Sequence, residues 1–163
     1  MNTRPRREVH LRPAIIEDQS FVDNLLYATM HGYVEATWPN DPEAQRHYYQ
    51  INKFDPANTR MIQVEDRNVG RLSTTIRPNC VFIDEIHIVP EYQRQGIGRQ
   101  VIEQVFLEAA EKNLPVRATV LTVNQPSQRL LFNMGFKIVG EKDHRFHVLY
   151  EPTSQNPPKD RIS

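Results

Sequence analysis

Residues 81–98 read VFIDEIHIVPEYQRQGIG, a stretch that passes from a strand through a glycine-punctuated turn into a helix. Val81 and Ile83 share one face of a strand, and Ile86 and Ile88 continue it with one slip of phase. Pro90 ends the ladder because it has no N–H to donate. Gly96 and Gly98 then open a helix whose apolar residues, Ile97, Val101, Ile102, Val105, Phe106 and Ala109, recur at helical spacing. The first amides of such a helix lack an intrahelical acceptor, and together with the helix dipole they favour an anion. The two glycines let a pyrophosphate approach the backbone without meeting a Cβ. Glycine also collects at turns for conformational reasons alone, so this cradle needs support from elsewhere in the chain.

Outward from that stretch the pattern is α/β. Val9 and Leu11 read as a first strand, and Asp18 to Met30 as a helix carrying Phe21, Val22, Leu25 and Leu26. Residues 42–54 predict a second helix, with Pro42 in its first turn and Tyr48, Ile51 and Phe54 on one side. The connection HGYVEATWPND reads as irregular and aromatic. Met61–Val64 and Leu72–Ile76 suggest a hairpin leading to the 81–88 strand, and Pro115–Val123 a strand after the cradle helix. Pro126–Met134 predicts a short helix, and Phe136–Val139 with Phe146–Tyr150 a terminal antiparallel pair.

Composition narrows the function classes. A chain of 163 residues with 39% hydrophobic content suits one domain with a proper core. Twenty Lys and Arg balance twenty Asp and Glu, so no global field favours nucleic acid or an anionic membrane, and a small-molecule or peptide substrate fits better. No apolar segment follows the basic TRPRR start, which leads to the expectation of a cytoplasmic protein. The single cysteine, Cys80, reads as a buried or idle thiol near a strand start. No His/Cys cluster has metal-ligand spacing, so no metal is expected.

The spacing excludes a P-loop, which needs Gly-Lys-Ser/Thr, and a dinucleotide fingerprint, which needs three glycines. What remains is Gln93-x-x-Gly96-x-Gly98, followed by Asn124, Gly135 and Phe136 within NQPSQRLLFNMGF. The two motifs together resemble the acetyl-CoA-binding signature of the GNAT superfamily of N-acetyltransferases, over roughly residues 8–150. The resemblance implies a single-domain GNAT-like fold at 8–150; by composition, a basic extension (1–7) precedes it and a proline-rich, polar stretch (151–163), expected to be a flexible tail, follows. It implies a mixed, mostly antiparallel sheet of about six to seven strands flanked by about four helices. Carried over residue by residue, it implies that main-chain groups of Ile86, His87 and Ile88 pair with the pantetheine arm of acetyl-CoA as if with an added strand. Asn124 would bond the same arm. Amides of Gln93, Arg94, Gln95, Gly96, Ile97 and Gly98 would hold the pyrophosphate. Arg94 and Arg99 flank the cradle, either adding charge to phosphate binding or lying solvated on a helix start.

The acceptor side departs from the family pattern. The tyrosine that often protonates the leaving thiolate is replaced by Leu131, and the glutamate of the ribosomal-protein enzymes falls at Thr119. Asp84, Glu85 and His87 are the surviving catalytic candidates, with Glu85 first. Adjacent strand residues face opposite ways, so Asp84 and Glu85 share a pocket only across a bulge. Tyr150, Tyr92, Tyr27 and Tyr33 are candidate proton donors, and Tyr33, Glu35 and Trp38 are candidates for binding the acceptor. The reading is direct acetyl transfer to a primary amine of a small molecule. A regulatory acyl-CoA-binding module and a protein or peptide N-terminal acetyltransferase are the alternatives, and a homodimer is compatible with any of them.

Overall fold

The structure, a computed structural model, describes residues 5–152, so most of the expected 1–7 extension and 151–163 tail lies outside the described residues. Seven strands, β1 (His10–Pro13), β2 (Thr59–Val64), β3 (Arg67–Arg77), β4 (Cys80–Ile88), β5 (Val116–Leu121), β6 (Lys137–Lys142) and β7 (Arg145–Tyr150), form one sheet in the order β1-β2-β3-β4-β5-β7-β6. Neighbours run antiparallel except β4 and β5, which are parallel and joined through a helix, as a parallel crossover requires. Four helices accompany the sheet: α1 (Gln19–Thr37), α2 (Pro42–Ile51), α3 (Ile97–Glu111) and α4 (Gln125–Asn133). This is the expected α/β architecture.

All six apolar residues predicted to line α3 are buried in the main core, against Ile83 of β4, Val116 of β5 and Val148 of β7. Each fully buried aliphatic side chain contributes about 1.5–3 kcal/mol, so this face fixes the helix on the sheet. Arg60 of β2 adds a two-pronged bond to Glu108 of α3, at 2.7 and 3.0 Å. Cys80 is buried, as its sequence context suggests.

The ends of the first two helices differ most from the sequence reading among the helices, and β6 runs to Lys142 rather than Val139. The first helix does not stop at Met30 but runs to Thr37, absorbing most of the connection read as irregular. Leu26, Met30 and Val34 form an unbroken i, i+4 buried stripe, and no proline interrupts it before Pro39. The aromatics of the segment obscured that stripe. The second helix ends at Ile51 rather than 54, where the Asn52 side chain bonds back to the Tyr48 carbonyl at 2.8 Å. Ile51 is exposed and only Tyr48 of that helix is buried, so the face proposed for it is correct at one position.

Gly70 has a packing reason: a Cβ there would run into the His87 carbonyl oxygen on β4. The close approach presses β3 onto β4 beside Arg71 and His87.

Candidate active site

Strands β4 and β5 pair at only three positions, Val81 with Val116, Phe82 with Arg117 and Ile83 with Ala118. Past Ile83 they part, and main-chain groups of β4 on that side have no strand partner. A cavity of ≈ 120 Å³ opens in the gap, lined by Ile83–His87 of β4, Thr119–Leu121 of β5, the start of α4, and Met30, Tyr48 and Arg145.

The phase slip in β4 is a bulge. Ser73 faces Glu85 and Thr74 faces Ile83, which leaves Asp84 as the extra residue. Asp84 and Glu85 consequently both line the cleft, as strict alternation would forbid. The Thr75 hydroxyl donates to Asp84 Oδ2 at 2.7 Å. Burial nevertheless holds the Asp84 pKa above its usual value, outweighing that bond and the attraction of Arg77.

Behind Glu85 stands a buried polar array. The guanidinium of Arg71, 1% exposed, donates from Nε to His87 Nδ1 at 3.3 Å and from Nη2 to the Asn52 carbonyl at 3.3 Å. His87 Nε2 lies 3.0 Å from Glu85 Oε2, and Arg71 Nη2 lies 3.8 Å from the same oxygen. Nδ1 accepts from Arg71, which puts the N–H of a neutral ring on Nε2, the nitrogen nearer the carboxylate. Burial lowers the Arg71 pKa, while Glu85 opposes the change. Glu85 thus lies beside an imidazole at 3.0 Å and a buried guanidinium charge at 3.8 Å. Tyr48, on α2, borders the same carboxylate. Burial first, and the Glu85 charge second, push its phenol pKa well up, so it stays a neutral hydroxyl.

At the far end of β4, α3 begins behind Gly96, which adopts φ +79 and would give a Cβ nothing to meet within 4 Å. The amides of Gly96, Ile97, Gly98 and Arg99 donate to no acceptor among the described residues. Four outward donors and an open approach fit a pyrophosphate. Gly98 is a glycine for another reason as well: its Cβ would lie 3.3 Å from Leu130 Cδ2, so it lets α4 close on α3. Asn124 caps α4 through Oδ1, 3.3 Å from Ser127 N–H, leaving its amide NH2 without a partner at the cleft wall.

A model of the acetyltransferase (GNAT) family matches residues 24–136, more than half of the chain. The chain belongs to the GNAT acetyltransferase family. It is accordingly an acyltransferase. Among solved structures it is similar in fold to PaiA N-acetyltransferase from Thermoplasma acidophilum in complex with coenzyme A. That match has TM-score 0.73 and 15% identity, and covers 88% of this chain and 99% of that one. Arabidopsis thaliana Naa50, in complex with the bisubstrate analogue CoA-Ac-MVNAL, matches with TM-score 0.62 and 14% identity, over 89% and 99% of the two chains. Ard1 from Thermoplasma volcanium matches with TM-score 0.61 and 15% identity, over 88% and 96%. No curated protein sequence matches.

The GNAT fold brings Asp84, Glu85, Ile86, His87 and Asn124 together around one cleft and sets the 93–99 turn at its end. The Ile88 carbonyl is already taken by the Gln93 side chain at 2.9 Å, and Gln95 bonds the Glu91 carbonyl at 3.0 Å. Arg94 has φ +60 on the turn, and Arg99 pairs with Glu103 at 3.4 Å. Two of the candidate acceptor residues, Tyr33 and Glu35, lie in the last turns of α1 rather than a loop, and Trp38 follows directly as its C-cap. Glu35 is exposed and Tyr33 packs with Leu26 and Tyr48, so neither lines the cleft, whereas Trp38 borders it through Arg145. Of the four candidate proton donors none lines the cleft: Tyr150 stacks on Phe106 in the core, Tyr92 meets Arg7, and Tyr27 stacks on His31. Leu131 does line it.

The sequence reading missed Tyr48, Arg71 and Arg145. One signal was available for Arg71: a charged residue in the strand run NVGRLSTTI, at an inward position, needs a buried partner. Tyr48 and Arg145 carry no such mark.

Proposed function

We propose that this GNAT enzyme moves the acetyl group of acetyl-CoA directly to the primary amine of a compact small molecule. The observation that carries the proposal is the bulge that turns two carboxylates, Asp84 and Glu85, into the narrow gap between β4 and β5. Acetyl-CoA supplies the thioester carbonyl; the C–S bond breaks, the N–C bond forms, and the amine loses a proton.

Residues of the chain divide the remaining work. The free amides at Gly96–Arg99 hold the pyrophosphate, and the main-chain groups of β4 that face away from β3 beyond Ile83, with the Asn124 amide, align the arm along β4. Glu85, fixed by His87 and Arg71, anchors the acceptor ammonium. Asp84, whose pKa burial raises, takes the proton directly or through one water. Tyr48, kept a neutral hydroxyl by burial and the Glu85 charge, serves as a hydrogen-bond donor in the cleft. With Leu131 where the family often has a tyrosine, the thiolate departs without an enzymic acid.

Calorimetric titration with acetyl-CoA, followed by thiol release on an amine panel, tests the reading. Binding with release is the expected result. Binding without release on any small amine or peptide favours a sensor module, release on peptides alone favours an N-terminal acetyltransferase, and no binding removes the cradle.

A further inference from the structure

Arg145 opens β7 next to Leu121 of β5 and lines the same cleft as the two carboxylates. Its guanidinium carbon lies 5.8 Å from the ring centres of both Trp38 and Tyr48. The aromatic pair, themselves 5.9 Å apart, limits where the guanidinium can go. One nitrogen donates to the Asp143 carbonyl at 3.3 Å, and no carboxylate among the described residues pairs with it. Arg145 is therefore a positioned cation with most of its donors unspent, facing a cavity rather than bulk solvent alone.

The charges around the cavity also balance. Asp84 and Glu85 are offset by Arg71 behind them and Arg145 across from them. A cleft meant to attract a polycation would carry an excess of carboxylates; this one has a negative wall and a positive wall. Tyr48 stands between, within electrostatic reach of Glu85, Arg145 and Arg71 alike.

We propose that the acetyl acceptor is a zwitterion, an amino acid whose ammonium meets Asp84 and Glu85 while its carboxylate takes the planar fork of Arg145. The proposal rests on the small-amine reading above and refines it. It also separates this enzyme from one acting on protein N-termini, because a peptide has an amide where the carboxylate would be.

The test uses matched pairs, α- and longer ω-amino acids against their own carboxamides, with the full chain, acetyl-CoA and a thiol-release readout. The expected result is at least a tenfold higher kcat/KM for one or more acids than for the matching amides. The amide is the more easily deprotonated amine, so its chemistry biases the comparison against that result. Arg145→Gln should shrink the acid-to-amide ratio tenfold or more, and Arg145→Lys should restore part of it. Equal rates on acid and amide, or equal damage to both by Arg145→Gln, overturns the zwitterion while leaving small-amine transfer intact. A peptide preferred to every acid overturns it too. Acetylation of no small amine at all, with acetyl-CoA still bound, sinks the small-amine reading and this inference with it.

Discussion

Replacing Arg71 with methionine tests the buried array most directly, because Met fills similar space without charge or donors. The change leaves two acceptors, His87 Nδ1 and the Asn52 carbonyl, without their donors, each a loss of about 1–3 kcal/mol when water cannot reach them. Both bonds are 3.3 Å long, which argues for the lower end of that range. It also removes the attraction to Glu85 at 3.8 Å, about 4 kcal/mol at an effective dielectric constant of about 20. Against these stands the relief of no longer burying a guanidinium, itself several kcal/mol. The balance is a loss of about 3 kcal/mol, the size expected when one partner of a buried pair is removed. Urea unfolding followed by circular dichroism measures it. Arg71→Lys should lie between wild type and Met, since one ammonium keeps the charge near Glu85 but cannot span His87 and Asn52 together. Paired with Glu85→Gln, the Met substitution should cost less than the sum of the two singles. A Met variant within about 1 kcal/mol of wild type, with kcat intact, would refute the claim that Arg71 holds His87 and Glu85 in place.

Three further outcomes follow from the geometry. Gly96→Ala meets no atom but must hold φ +79, so it should cost about 1–2 kcal/mol of stability or shift the turn and weaken acetyl-CoA binding; Gly98→Leu should instead disrupt the α3–α4 contact at Leu130 and show mainly in the unfolding midpoint. The reverse pattern in calorimetry and melting would contradict the division. Burial raises the Asp84 pKa above its ordinary 3.8, so the folded state binds that proton more tightly than the unfolded state. The stabilisation is complete below 3.8 and is lost as pH rises through the folded value; Asp84→Asn should therefore be the more stable protein at about pH 7, with the gap closing on acidification. Asp18 has the opposite sign. Its hydrogen bonds from Arg12, at 2.8 and 2.9 Å, lower its pKa, so that contribution is present above 3.8 and lost as pH falls through the folded value. Asp18→Asn should lose stability at about pH 7 and match wild type in strong acid, and a difference independent of pH would dismiss the ion pair as its cause.

The strand, turn and helix at 81–98 were legible because every cue there is local. Pro90 removes a donor from the ladder, Gly96 supplies a left-handed φ, and the α3 stripe repeats at helical spacing whatever surrounds it. The slip between Ile83 and Ile86 was visible too, but not its consequence. Only the register against Ser73 and Thr74 on β3 makes Asp84 the bulged residue and turns both carboxylates into one cleft. The end of α1 was misread because Tyr33 and Trp38 suggested a pocket loop, whereas the deciding signal was the Leu26, Met30, Val34 stripe beneath them.

The family, its acyl-donor signature and the order of the elements were written in the sequence, since each rests on contacts among residues a few positions apart. The acceptor side was not. Tyr48 comes from α2, Arg71 from β3, Glu85 and His87 from β4 and Arg145 from β7, and the sheet order alone makes them neighbours. A charge acquires its role from what stands across the cavity, and no spacing along the chain encodes that distance.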